Sequence, residues 1–145
     1  MRFLEVRRHA DADGDRLTDE GKKKAERVGR TLTGNYLAVF SSPLQRAAET
    51  VAWFLRGLGQ KLPPTHGVTE GLASNDGERV ADAFRQMLAA VPEDGRALAV
   101  GHSPWTENGV RALTGQDVAP LSRCEGVLIV EDAGDYRLAE EYRLG

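Results

Sequence analysis

One cysteine, Cys124, stands among 145 residues, so no intramolecular disulfide braces the chain. That scarcity favours a reducing, cytoplasmic setting. No apolar run approaches the roughly 20 residues that cross a bilayer as a helix. The start of the chain also lacks a charged stretch leading into an apolar one, so we expect a soluble protein with no membrane partner. Neither sign of charge dominates: 19 Lys and Arg against 22 Asp and Glu give a net charge of −3. No overall field draws nucleic acid, and any basic site must be local. No fixed-period repeat, low-complexity tract or linker interrupts the sequence. One domain spanning 1–145 is expected, long enough to bury a single core.

Short apolar runs alternate with amphipathic stretches, the pattern of parallel strands joined by crossover helices. Phe3 to Val6 reads as a first strand and Thr18 to Leu32 as a helix, with Thr18 at its N-cap, Asp19 and Glu20 at the positive end of its dipole, and Gly34 as its stop. Leu37 to Phe40 is a second strand, and Ser42-Pro43 is suited to open the following helix. Leu44, Ala47, Ala48, Val51 and Leu55 share one face of that helix. A turn-rich connection follows, with a short strand near His66 to Val68. Val80, Phe84, Leu88 and Val91 mark a third helix. "RALAVGHSP" repeats the earlier grammar, with Ser103-Pro104 opening a helix that carries Val110 and Leu113. The chain closes with a hairpin turning at Asp132 to Asp135. The predicted architecture is α/β, a three-layer α/β/α sandwich whose mostly parallel sheet has an antiparallel edge.

Charge is concentrated where strands break. The stretch "VRRHADA", residues 6–12, runs an apolar strand into two arginines and a histidine. In open α/β sheets ligands bind beyond the carboxyl ends of the strands. The first strand delivers Arg8 and His9 there, the second strand and its helix deliver Arg46, and the strand over Ala97 to Gly101 delivers His102. Two guanidinium forks and two imidazoles suit a phosphoryl group. Arginine binds its oxygens bidentately, and a neutral histidine is a competent nucleophile.

"RRHA", "LTDEG", "SSPLQRAAET" and "VGHSP", in that order, resemble the signatures of the histidine phosphatase, or phosphoglycerate mutase-like, superfamily. The short chain and "RHADA" are most similar to its SixA-type phosphohistidine phosphatases. The resemblance implies a phosphorylated nucleophile at His9, phosphate binding by Arg8 and Arg46, and completion of the pocket by His102. It places the general acid at Glu70, with Asp11 and Asp76 in reserve. If His9 attacks phosphorus while the arginines stabilise the transition-state charge, no metal is required, and no cofactor is expected. Two departures stand out. Ala10 occupies a position usually held by glycine, and Arg7 one that is usually apolar. Alternation along the strand turns Arg7 away from Arg8, toward a structural ion pair.

Several other features have plain readings. "DADGDRLTDE" is not a calcium loop, because an EF-hand starting at Asp11 needs glycine where Arg16 stands and glutamate where Lys22 stands. The acidic run is instead a solvated lip. Lys22 to Lys24 are an outer helix face, Cys124 is buried and inert, and Trp53 packs. Trp105 is a candidate for the pocket rim. Only about 20 residues, Gly57 to Asp76, join the second and third helices, too few for a separate lid. An open site favours a phosphorylated protein as substrate, with phosphohistidine on a signalling or phosphorelay protein as the leading expectation. The alternatives are a small phosphate ester and a non-catalytic phosphate-binding module. A monomer is expected.

Overall fold

A computed structural model describes residues 1–145. Its secondary structure follows the strand-helix alternation. In chain order the elements are β1 (Arg2–Arg8), β2 (Ala12–Asp13), β3 (Arg16–Leu17), α1 (Asp19–Gly29), β4 (Ala38–Ser41), α2 (Gln45–Leu58), β5 (Thr65–Val68), a 3-10 turn (Glu70–Leu72), α3 (Gly77–Ala89), β6 (Arg96–Gly101), α4 (Trp105–Thr114), β7 (Gly126–Asp132) and β8 (Asp135–Tyr142). Six strands form one sheet in the order β5-β4-β6-β1-β7-β8. The pairings β5-β4, β4-β6 and β6-β1 are parallel, whereas β1-β7 and β7-β8 are antiparallel. The sheet is thus mostly parallel with an antiparallel edge, as the sequence pattern predicts.

Side-chain alternation in the central strand divides the core in two. Along β6, Ala97 and Ala99 face one apolar cluster while Leu98 and Val100 face the other. The first cluster takes Val80, Phe84, Met87 and Leu88 from α3 and Val110 from α4, together with Leu4 and Val6 of β1. The second takes Ala25 and Val28 from α1 and Val51, Phe54 and Leu55 from α2. Each central strand is buried on both faces, which is why these runs read as continuously apolar. Helices α1 and α2 pack on one face of the sheet and α3 and α4 on the other.

Two glycines set how closely α1 and α2 approach. A Cβ on Gly29 would stand 2.3 Å from the carbonyl oxygen of Phe54, and one on Gly57 would stand 2.0 Å from that of Glu26. Any larger residue at either position would force the helices apart, moving the N-terminus of α2 and whatever it carries.

Some boundaries move. Helix α1 is capped by Thr18, whose hydroxyl accepts from the Gly21 amide at 3.0 Å, but it ends at Gly29, before Leu32. Helix α2 starts at Gln45, and Ser42 does not cap it. Asp15 does so from the turn between β2 and β3, accepting from the Gln45 and Arg46 amides, each at 3.2 Å. The acidic run is therefore a small hairpin as well as a lip. Arg7 does turn away from Arg8: its Nε donates to Glu5 at 2.8 Å, and its guanidinium lies over the Tyr142 ring at 4.4 Å. Glu5 also accepts from the Tyr36 hydroxyl at 2.8 Å. Burial and this carboxylate both push the Tyr36 pKa upward.

Candidate active site

At the carboxyl ends of β1, β4 and β6 lies a cleft of about 460 Å³, lined by Arg8, His9, Arg46, His102 and Arg123 together with Ser103, Pro104, Trp105, Ala12 and Gly14. The parallel register explains the convergence. Arg8 of β1 pairs with Gly101 of β6, so the residues that follow, His9 and His102, leave the sheet side by side. Their ring centroids are 5.2 Å apart. Arg46 arrives from the first turn of α2, immediately after β4.

His9 is held in one tautomer. Its Nδ1 lies 2.8 Å from the Ala10 carbonyl oxygen, which can only accept, so Nδ1 carries the proton and Nε2 keeps its lone pair. Arg46 Nε donates to that Nε2 at 3.3 Å. Burial lowers the His9 pKa to about 4; Arg123, Arg46 and Arg8 push in the same direction, and the Ala10 carbonyl opposes them. His102 pairs through Nε2 with Ser42 Oγ at 2.6 Å, while its Nδ1 is buried without a partner. Burial, followed by the neighbouring His9, takes its pKa to about 4 as well. Both rings are neutral at pH 7.

The guanidiniums are held, but not neutralised equally. Arg8 donates through Nη1 to the Leu121 carbonyl at 2.7 Å, and its buried Nε has no partner. Arg46 pairs with Asp15 at 3.3 Å. Trp105 does form part of the rim, meeting His102 edge-on with centroids 5.1 Å apart. Ala10 is accommodated without a left-handed backbone; its amide donates to Thr50 Oγ1 at 3.0 Å and its side chain is buried in the second core cluster. The backbone restriction expected there costs nothing in this conformation.

The three carboxylates proposed as acids lie elsewhere. Glu70 is exposed in the 3-10 turn and lines a separate hollow with Thr69, Arg79 and Asp82. Leu72 in the same turn is inserted in the core. Asp76 caps α3 by accepting from the Glu78 amide at 3.1 Å. Asp11 contributes no side chain to the cleft lining and lies 3.7 Å from Lys24 Nζ. Sequence reasoning missed Arg123, Ser42 and the capping role of Asp15. Ser42 had a readable signal, since "SSP" and "HSP" end two apolar runs alike. Arg123 comes from a non-periodic loop and had none.

Comparison with known proteins agrees with this geometry. Residues 4–74 match the family described as Histidine phosphatase superfamily (branch 1). The match runs from β1 past the 3-10 turn, includes Arg8, His9 and Arg46, and supports a phosphatase of that superfamily. Among solved structures it is similar to the protein histidine phosphatase SixA complexed with tungstate, with a TM-score of 0.79 at 20% identity over 97% of this chain and 96% of that one. It is also similar to phosphoserine phosphatase from Entamoeba histolytica in complex with 3-phosphoglyceric acid, with a TM-score of 0.77 at 16% identity over 99% and 98%. A mycobacterial glucosyl-3-phosphoglycerate phosphatase gives a TM-score of 0.78 at 16% identity over 99% and 100%. At these identities the likeness shows the fold. Comparison with curated proteins finds no match.

Proposed function

We propose that this protein is a metal-independent phosphohydrolase that works through a phosphohistidine intermediate on His9 and removes phosphate from phosphohistidine on a protein. The observation that carries the reading is the orientation of His9, whose unprotonated Nε2 is bonded by Arg46 at 3.3 Å while Nδ1–H is held by Ala10. In the first step Nε2 attacks phosphorus, the bond from phosphorus to the substrate nitrogen breaks, and the substrate ring, protonated on its other nitrogen, takes the electron pair and leaves as a neutral imidazole. In the second step water attacks phosphorus, the bond to Nε2 breaks, and orthophosphate departs carrying the water oxygen. Arg8 and Arg46 hold the phosphoryl oxygens and stabilise the charge of each transition state, while His102 supports the same group from beside His9. Nδ1–H stays on the ring throughout, so His9 is itself a neutral leaving group in the second step.

The composition of the lining favours an imidazole leaving group over an alkoxide. An alkoxide needs a proton donor within hydrogen-bond reach, and the lining supplies arginines, neutral histidines, Ser103 and Trp105. A phosphohistidine ring that carries a proton on its far nitrogen departs as a neutral imidazole, whose conjugate acid has a pKa of about 6.5, without one. The connection between α2 and α3 is occupied by β5 and the 3-10 turn, and it adds no wall to the cleft. The decisive experiment measures initial phosphate release, in EDTA, from a histidine-phosphorylated carrier protein and from a panel of small phosphomonoesters. A higher kcat/KM for the phosphoprotein is expected; preference for one small ester would replace that substrate assignment. His9→Ala should lower turnover by at least about a thousandfold while phosphate binding through Arg8 and Arg46 persists. Undiminished turnover would remove the covalent mechanism.

A further inference from the structure

We propose that Arg123 is a third phosphoryl-binding guanidinium, gripping the group transferred to His9 from the side of the sheet opposite Arg46. The inference rests on the phosphohydrolase reading and adds a residue that the ordered motifs do not contain. Position supports it first. Arg46 reaches the cleft from β4, two strands to one side of β1, whereas Arg123 reaches it from the loop entering β7 on the other side. Arg8 and Arg46 alone leave the β7 side of a phosphoryl group on Nε2 to one fork, and that fork already spends Nη1 on Leu121.

Arg123 is also half-buried, lines the cleft and forms no ion pair; its one hydrogen bond is a long one from Nη1 to the Ala10 carbonyl, 3.5 Å. Its remaining donors are free for a ligand. The Ala10 oxygen is the same atom that accepts from His9 Nδ1, so the guanidinium shares an acceptor with the ring, and both line the cleft. Of the three cationic side chains acting on His9, it exerts the largest charge effect. Three arginines and no carboxylate line the cleft, and of the three only Arg46 has an ion-pair partner, Asp15. Such a lining favours a dianionic phosphoryl group.

The backbone holds Arg123 in place. The next residue, Cys124, has φ +67, a left-handed conformation that is unfavourable for a side chain bearing a Cβ. That turn places Cys124 in the core and Arg123 at the cleft. The loop is fixed on either side, by the Cys124 amide donating to the Arg8 carbonyl at 3.1 Å and by the Leu121 amide donating to Glu107 at 3.1 Å. The backbone from which this fork reaches is thus fixed before substrate arrives.

The test compares wild type, Arg123→Gln and Arg123→Lys. It measures turnover of a histidine-phosphorylated protein and of p-nitrophenyl phosphate, which carries no second anion, and calorimetric binding of orthovanadate and inorganic phosphate. Arg123→Gln should lose roughly 10- to 100-fold in kcat/KM on both substrates and weaken orthovanadate binding comparably, and Arg123→Lys should recover part of each. Unchanged orthovanadate binding, or a loss confined to the phosphoprotein, would overturn the proposal and make Arg123 a reader of the substrate beyond its phosphoryl group. A purely structural role would lower the unfolding temperature of the glutamine variant without changing anion affinity, and would overturn it equally. If wild type turned over neither substrate, the phosphohydrolase reading would fall, and anion binding by the variants would still decide whether Arg123 grips phosphate.

Discussion

A histidine near its ordinary pKa is a poor nucleophile below pH 6, because the lone pair needed for attack is protonated. His9 avoids this through three features that act together. Its ring is buried, the Ala10 carbonyl fixes the proton on Nδ1, and guanidiniums crowd the ring. We expect the His9 and His102 ring resonances, followed by NMR as pH is lowered, to titrate with midpoints near 4. Midpoints at about 6.5 would mean that the rings are solvated and that the geometry does not protect the nucleophile. Arg8, His9, Arg46 and His102 were legible because each closes an apolar run or opens the helix behind it, and such breaks sit at one edge of a parallel sheet. Arg123 was not legible: its loop has no periodicity, and its approach to His9 depends on the φ +67 turn at Cys124, which the sequence does not signal. Glu70 is a different case: the family resemblance gives it a role, and in this structure it stands outside the cleft lining, in a turn whose Leu72 enters the core.

At the scale of elements, the position of Arg46 is set by the start of α2, and α2 is held at both ends. Gly29 and Gly57 allow its C-terminal half to meet α1 at contact distance. At its first turn, Asp15 accepts from two backbone amides and also pairs with the Arg46 guanidinium. One carboxylate thus caps the helix and aims the arginine, while its negative charge suits the positive end of the helix dipole. Asp15→Ala should lower stability by the loss of a helix cap and lower kcat/KM roughly 5- to 10-fold by freeing Arg46. Asp76→Ala removes a comparable cap from α3, on the other face of the sheet, and should cost similar stability with kcat/KM unchanged. Urea unfolding and initial rates on both variants check the pair; equal kinetic losses would show that the effect of Asp15 is loss of stability alone. The helices and long strands were readable from their apolar spacing. The β2-β3 hairpin was not, because strands of two residues have no period to read. Ser42 was misassigned as a cap because its hydroxyl is drawn to His102, a contact between residues 60 positions apart.

The whole molecule carries the cost of two neutral histidines. In the unfolded chain both rings take up a proton near pH 6.5, whereas in the fold they do so near 4. Between these values the unfolded state binds more protons, so stability must fall as pH drops through that window and level off, for these groups, below it. Glu125 and Asp15 act in a lower range. Hydrogen bonds to the Glu125 carboxylate and to Asp15 hold both pKa values below normal, so the stability they contribute is lost only as pH falls through the acid range where they protonate. The two contributions are separable by measuring urea midpoints at pH 7 and pH 5, above the carboxylate range. Wild type should lose on the order of 1 kcal/mol per ring between those pH values. A variant with His9→Asn and His102→Asn should lose much less, whatever its absolute stability. Equal losses in both proteins would mean that the rings are protonated in the fold at pH 5. His9 would then be largely occupied by a proton where the mechanism needs a lone pair, and the covalent reading would have to be confined to neutral and alkaline conditions.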